Sequence, residues 1–261
     1  MPDSQKARLS STDRVARDAR RALRRLARPS AEFDARRYFR GDHGLRFHNV
    51  GTRAMRDLAR SIHAAHKARW GVDDAIACAD RLIRDPFLET KSVGIELAGR
   101  YRRDFAPRML DTWKGWLAGG YASNWATTDA LCGALIGPLL VTHLSLAPRM
   151  RSWSRHSNMW VRRASAVGLI PAVRRGLSLD VAYDVASRLH ADSHDLIQKA
   201  VGWLLREAGK TDPVRLERYL RRHGPDIPRT TVRYAIERFS DEQRRELLQH
   251  TRSKGRGRQR N

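Results

Sequence analysis

The chain has 261 residues, with 51 Lys and Arg against 28 Asp and Glu, a formal charge of +23 and an isoelectric point near 11.3. Hydrophobic residues make up 41% and aromatics 7%, enough to bury a core, which excludes a wholly disordered basic chain. Two cysteines, Cys78 and Cys132, both in apolar surroundings, exclude a disulfide scaffold or a Cys-rich zinc site and suit a reducing compartment.

Arg outnumbers Lys 44 to seven, and guanidinium binds phosphate as a two-pronged fork. Residues 1–30 carry nine bases and three acids, residues 252–261 five bases and no acid, and the stretch between them is still net +12. A polyanion is the expected partner of such a body, ahead of a membrane surface.

In chain order, Ser10, Ser11, Thr12 and Asp13 offer N-caps to a first helix with Val15, Ala19, Ala22, Leu23 and Leu26 on one face. Arg17, Arg20, Arg21, Arg24 and Arg25 surround that stripe, so residues 1–30 read as a basic helical extension that docks by its apolar side. Apolar periodicity predicts further helices near 53–66, 73–84, 88–104, 107–118, 125–141, 158–175, 179–190, 194–208, 213–222, 228–238 and 240–250. Alternating strand patterns are absent, and the fold class is all-α. Residues 130–148 carry no formal charge, but Gly133, Gly137, Pro138 and His143 interrupt them, so they read as a buried helix and its turn. No secretory signal is evident, and the cytoplasm is the expected location, on the nucleoid when bound to DNA.

A faint repeat runs through these helices. Lys91-Ser92-Val93-Gly94-Ile95, Arg163-Ala164-Ser165-Ala166-Val167 and Lys199-Ala200-Val201-Gly202-Trp203 fall in phase at multiples of 36 residues, while the copy expected at Thr127 is poor. Small residues one and three places after the base let a helix approach its neighbour closely. This favours an α-solenoid of HEAT-like repeats over residues 31–251 with a concave basic groove, followed by a disordered basic tail at 252–261.

Three successive repeat helices pair an aromatic with a charge: Trp125 with Asp129, Trp160 with Arg163, and Trp203 with Lys199 and Arg206. Taken singly, each pair is ordinary core-edge packing. Repeated on a basic solenoid, they would grip a sugar–phosphate backbone and offer flat apolar faces to sugars or bases.

The stretches Asn124-Trp125-Ala126-Thr127-Thr128-Asp129, Ser157-Asn158-Met159-Trp160-Val161-Arg162-Arg163 and Gln198-Lys199-Ala200-Val201-Gly202-Trp203-Leu204-Leu205-Arg206-Glu207, followed by Lys210-Thr211-Asp212-Pro213, resemble the AlkD-like DNA alkylation repair glycosylases. Ala35-Arg36-Arg37-Tyr38-Phe39 and Phe47-His48-Asn49-Val50-Gly51 look like that family's N-terminal segment, so the resemblance spans roughly residues 35–240. It implies excision of positively charged N3-alkyladenine and N7-alkylguanine from double-stranded DNA by a monomer that needs no metal or organic cofactor. Trp125 and Trp203 would cradle the deoxyribose, and Asp129 would stabilise the sugar cation and position water. Tyr38, Trp160, Arg162, Arg163, Lys199 and Arg206 would face the DNA, whose damaged base stays stacked. Two departures stand out. Ala126 replaces an acid that commonly follows the first Trp, and residues 41–49, with His43 and His48, are more polar than in relatives.

Other chemistries fare poorly. The ten His show no metal-binding spacing, His63 and His66 lack a nearby carboxylate partner, and His143 reads as a core histidine. The main rival is a non-catalytic helical-repeat protein that binds DNA through the same groove. A carboxylate at Asp129 separates the two, because a pure binder of phosphate gains nothing from it.

Overall fold

The computed structural model describes residues 2–29, 34–39 and 44–252. The tail predicted at 252–261 lies, apart from Arg252, outside the described residues, as does His43. Helices dominate, and among the described residues the one element of β pairing is an isolated bridge between Arg46 and Phe87. The chain divides into two compact units, Met1–Leu139 and Leu140–Asn261.

In the first unit α1 (Pro2–Leu26), α2 (Thr52–His66), α3 (Val72–Ile83), α4 (Leu88–Gly99), α5 (Met109–Ala118) and α6 (Trp125–Leu131) follow one another. The first helix begins at Pro2 and not at the Ser10–Asp13 caps. Proline opens a helix without cost, since its missing N–H has no partner there anyway, and Thr12 is buried inside the helix instead of capping it. Val15, Ala16, Ala19 and Leu23 join a core with Ala59, Ile62, Cys78, Leu82, Val93 and Leu97. α1 packs on α3, and α2, α4 and α6 form the other layer. Arg20 pairs with Asp85 at 2.7 Å and Arg81 with Asp13, fastening α1 to α3 and its end.

Beyond α6 the helix widens through a π turn, Cys132–Ile136, before continuing as α7 (Gly137–Thr142). Taken together, Trp125–Thr142 is long and apolar enough to cross a membrane, yet half of it is buried, with Leu131, Leu135, Ile136 and Leu139 inside the core. It is a core helix of the kind the uncharged sequence predicts.

The second unit holds α8 (Met150–Trp153), α9 (Met159–Val167), α10 (Ile170–Val173), α11 (Leu179–Arg188), α12 (Asp195–Thr211), α13 (Pro213–His223), α14 (Arg229–Ala235) and α15 (Asp241–His250). α9, α12 and α14 pack side by side, with α11 and α13 laid against α12. The helix expected over 158–175 is broken after Val167, where Gly168 and Leu169 form a tight turn.

The repeat is real. Helices begin at Leu88 and Trp125 in the first unit and at Met159, Asp195 and Arg229 in the second, close to every 36 residues. Its small residues do what close stacking needs. A Cβ at Gly94 would meet Leu82 Cβ at 2.9 Å, and one at Gly202 would meet Tyr234 Cβ at 2.4 Å and the Thr231 carbonyl at 2.8 Å.

Candidate nucleic-acid interface

The chain has seven tryptophans. Trp70, Trp113, Trp116 and Trp153 are buried, whereas Trp125 is 39% exposed and Trp160 and Trp203 are half-buried. The three that the sequence singles out are the three the core does not take. An indole left at the surface gives up its burial energy, so a surface role is the economical explanation.

Trp125 is the first residue of α6, and its position is over-determined. The Asn124 side chain accepts from the Thr127 backbone N–H at 2.9 Å, and its amide donates to Thr127 Oγ1 at 2.9 Å. The Thr128 hydroxyl donates to the Ala122 carbonyl at 2.7 Å, and Asn124, Thr127 and Thr128 are all buried. This N-cap fixes the first turn. Asp129 follows one turn later on the same stripe and is half-buried. The π turn begins three residues further on, a distortion that recurs at functional sites.

What leans on Trp125 is barely signalled in the sequence. Phe39 stacks on the indole at 5.4 Å and 22°, and Phe47 packs against Phe39 at 5.3 Å. Tyr38 beside them is 59% exposed. The strand-like run leading to Val50 is held over the start of α4. Its Arg46 backbone exchanges hydrogen bonds with Pro86 and Leu88, and the buried Glu89 carboxylate accepts the His48 and Val50 N–H groups at 3.0 and 3.2 Å. His48 lies flat on Phe87 at 3.8 Å, and burial lowers its pKa, keeping the ring neutral at pH 7. The one available signal was a pair of aromatics, Phe39 and Phe47, in an otherwise polar stretch.

In the second unit the Asn158 side chain caps α9 by accepting from the Trp160 N–H at 2.8 Å. The bases near it are committed to the protein. Arg162 donates to Asp192 at 2.7 Å and to the His156 and Ser157 carbonyls, and Arg163 is 5% exposed with Nη1 donating to the Leu196 carbonyl. On α12, Lys199 pairs with Asp195 at 2.7 Å, and Arg206 with Glu237 and, at 3.6 Å, with Glu207. Trp203 shares their stripe, its indole N–H buried without an acceptor among the described residues.

The repeat-phase base therefore has a structural use. Lys91, buried like Arg163, donates to the Ile83 and Tyr121 carbonyls at 2.7 and 2.8 Å, and burial brings its pKa down to about 8. Lys91 thereby closes carbonyls at the end of α3 and in the turn before α6, whereas Arg163 ties α9 to the first turn of α12. Among the described residues no group of three or more His, Cys, Asp or Glu is placed to hold a metal ion.

These features define an all-α helical-repeat protein whose surface carries indoles, a carboxylate and many arginines. The chain belongs to the family described as DNA alkylation repair enzyme, which matches residues 19–239. Its role is therefore DNA repair, and DNA is its substrate. Two solved structures share the fold. The predicted DNA alkylation repair enzyme from Enterococcus faecalis has 18% identity and a TM-score of 0.73, covering 83% of this chain and 98% of its own. The protein smu.31 from Streptococcus mutans UA159 has 16% identity and a TM-score of 0.50, covering 76% and 90%. Among curated proteins, none matches the sequence.

Proposed function

We propose that the protein is a DNA glycosylase that removes positively charged alkylpurines, N3-alkyladenine and N7-alkylguanine, from duplex DNA while the base stays stacked. The observation that carries this reading is the pairing of a surface Trp125 with Asp129 on one stripe of a rigidly capped helix. An alkylated purine is already cationic, so it departs with the glycosidic electron pair as a neutral base and needs no general acid. The positive charge passes to the sugar as an oxocarbenium ion, which water then attacks at the anomeric carbon.

Asp129 stabilises that ion and orients the water, and the indole face of Trp125 adds cation–π attraction. The family resemblance assigns Trp203 a role in cradling deoxyribose. At 4 Å and an effective dielectric of 20, one carboxylate contributes about 4 kcal/mol, worth about a thousandfold in rate at ~1.4 kcal/mol per factor of ten. A carboxylate is a poor choice for a protein that only holds phosphate, which favours the enzyme over a pure DNA binder.

Asp129→Asn changes charge with little change in shape. Single-turnover release of N7-methylguanine from a duplex is expected to fall by two to three orders of magnitude, roughly the Coulomb estimate above, with duplex affinity retained. A rate within about threefold of the parent would refute the catalytic assignment.

A further inference from the structure

We propose that a cleft in the first unit, between the ends of α2 and α4 and the π turn after α6, seats a backbone phosphate of duplex DNA. The inference rests on DNA being bound along the Trp125–Asp129 stripe. The cleft encloses about 440 Å³ and is lined by His63, Glu96, Arg100, Arg102, Arg103 and Gly133, among others.

Its charge is unbalanced. Among the described residues, Arg102 and Arg103 are exposed and make no side-chain hydrogen bond or ion pair. Arg100 Nε is buried with no acceptor. The one acid, Glu96, is engaged by Arg56 at 3.3 Å. Carbonyls at the end of α4 favour a cation there, but they do not account for three arginines lining a cavity that holds a single carboxylate. A phosphate accounts for them, because its oxygens accept several forked N–H groups at once.

The remaining lining fits the same ligand. Burial, then the neighbouring Arg100 and Lys67, lowers the pKa of His63, so a neutral ring offers one N–H donor. A Cβ at Gly133 would meet nothing within 4 Å, so the π turn's backbone is open on this side. Gly133 follows Asp129 by four residues, on the stripe that starts at Trp125. Four residues span about 6 Å of helix, which places the cleft beside the sugar-binding stripe and not across the molecule from it.

The test uses the full chain and an undamaged duplex, so it reads binding whether or not excision occurs. R102Q/R103Q removes two exposed cations and is expected to leave Tm unchanged. The slope of log Kd against log salt should flatten by up to ~0.9, the value for one lost phosphate contact. R244Q/R245Q, which removes two exposed cations from α15, controls for net charge and should flatten it by much less. An unchanged slope in R102Q/R103Q, or equal flattening in both variants, overturns the proposal. So does saturable binding of inorganic phosphate that depends on Arg102 and Arg103 while the duplex slope stays the same, since the cleft would then hold a small anion. Loss of excision in Asp129→Asn is independent of all these outcomes.

Discussion

Glu207 shows how a single buried charge is held in this protein. Its side chain is 2% exposed, and it accepts from Arg174 at 2.9 Å and from Lys210 at 2.8 Å. Burial alone would raise its pKa, but those hydrogen bonds and charges hold it down to about 2. A carboxyl depressed in the folded state stabilises the fold above its unfolded pKa, near 4.5, and loses that contribution as pH falls towards 2. The contribution at pH 7 is on the order of 3 kcal/mol, at 1.36 kcal/mol per pKa unit. Glu207→Gln should therefore lie well below the parent in urea stability at pH 7, with the gap narrowing below pH 4.5 and closing only as pH reaches about 2. A gap independent of pH would assign Glu207 to packing. At this scale the sequence was only partly legible. Lys91, Arg163 and Lys199 occupy one repeat phase, yet two are buried against carbonyls and the third pairs with Asp195 in solvent. The difference lies in which helix ends come near them, and that is a long-range fact. The same holds for Phe39 on Trp125 and for Glu89 beneath His48 and Val50.

Among elements, close helix contact is set by glycine where backbone opposes it. Gly202→Ala would place a methyl against Tyr234 Cβ and the Thr231 carbonyl, neither of which is the end of a flexible side chain. The expected loss of about 1–3 kcal/mol from overpacking exceeds the gain of up to ~1 kcal/mol in helix propensity, so Tm should fall. Gly115 in α5 is exposed with nothing within 4 Å of a Cβ, and Gly115→Ala should raise Tm by the propensity gain alone. Opposite signs at the two positions would be read by calorimetry, and a Tm unchanged by Gly202→Ala would show that α14 can retreat from α12. The repeat was visible in the sequence because these small residues recur in phase. Helix ends were less so. Ser10–Asp13 look like caps but lie inside α1, and the break after Val167 is made by the turn at Gly168 within an otherwise apolar run. The π turn leaves no trace in an apolar pattern, since one extra residue among Cys132–Ile136 shifts the period without changing composition.

For the molecule as a whole, charge is the organising quantity. A +23 chain meeting a polyanion binds steeply with salt and without regard to sequence. Discrimination must then come from the lesion, and the proposed chemistry places it in the leaving group's charge. Small and bulky cationic adducts at N3 or N7 should both be released, whereas uracil and hypoxanthine should be refused for want of a proton donor. A panel of duplexes checks this by base release. Efficient removal of a neutral base, or a steep fall with adduct size, would require a base-flipping pocket. Four indoles are sealed in the interior, Trp160 and Trp203 are half-buried, and Trp125 is the most exposed, capped on one side by Phe39. The emission of the protein is therefore a blue, shielded background with a red-edge component from Trp125 that soluble quenchers reach first. A sugar seated on the open indole face would block those quenchers, so the protein carries an intrinsic optical reporter at the very residue assigned to its substrate.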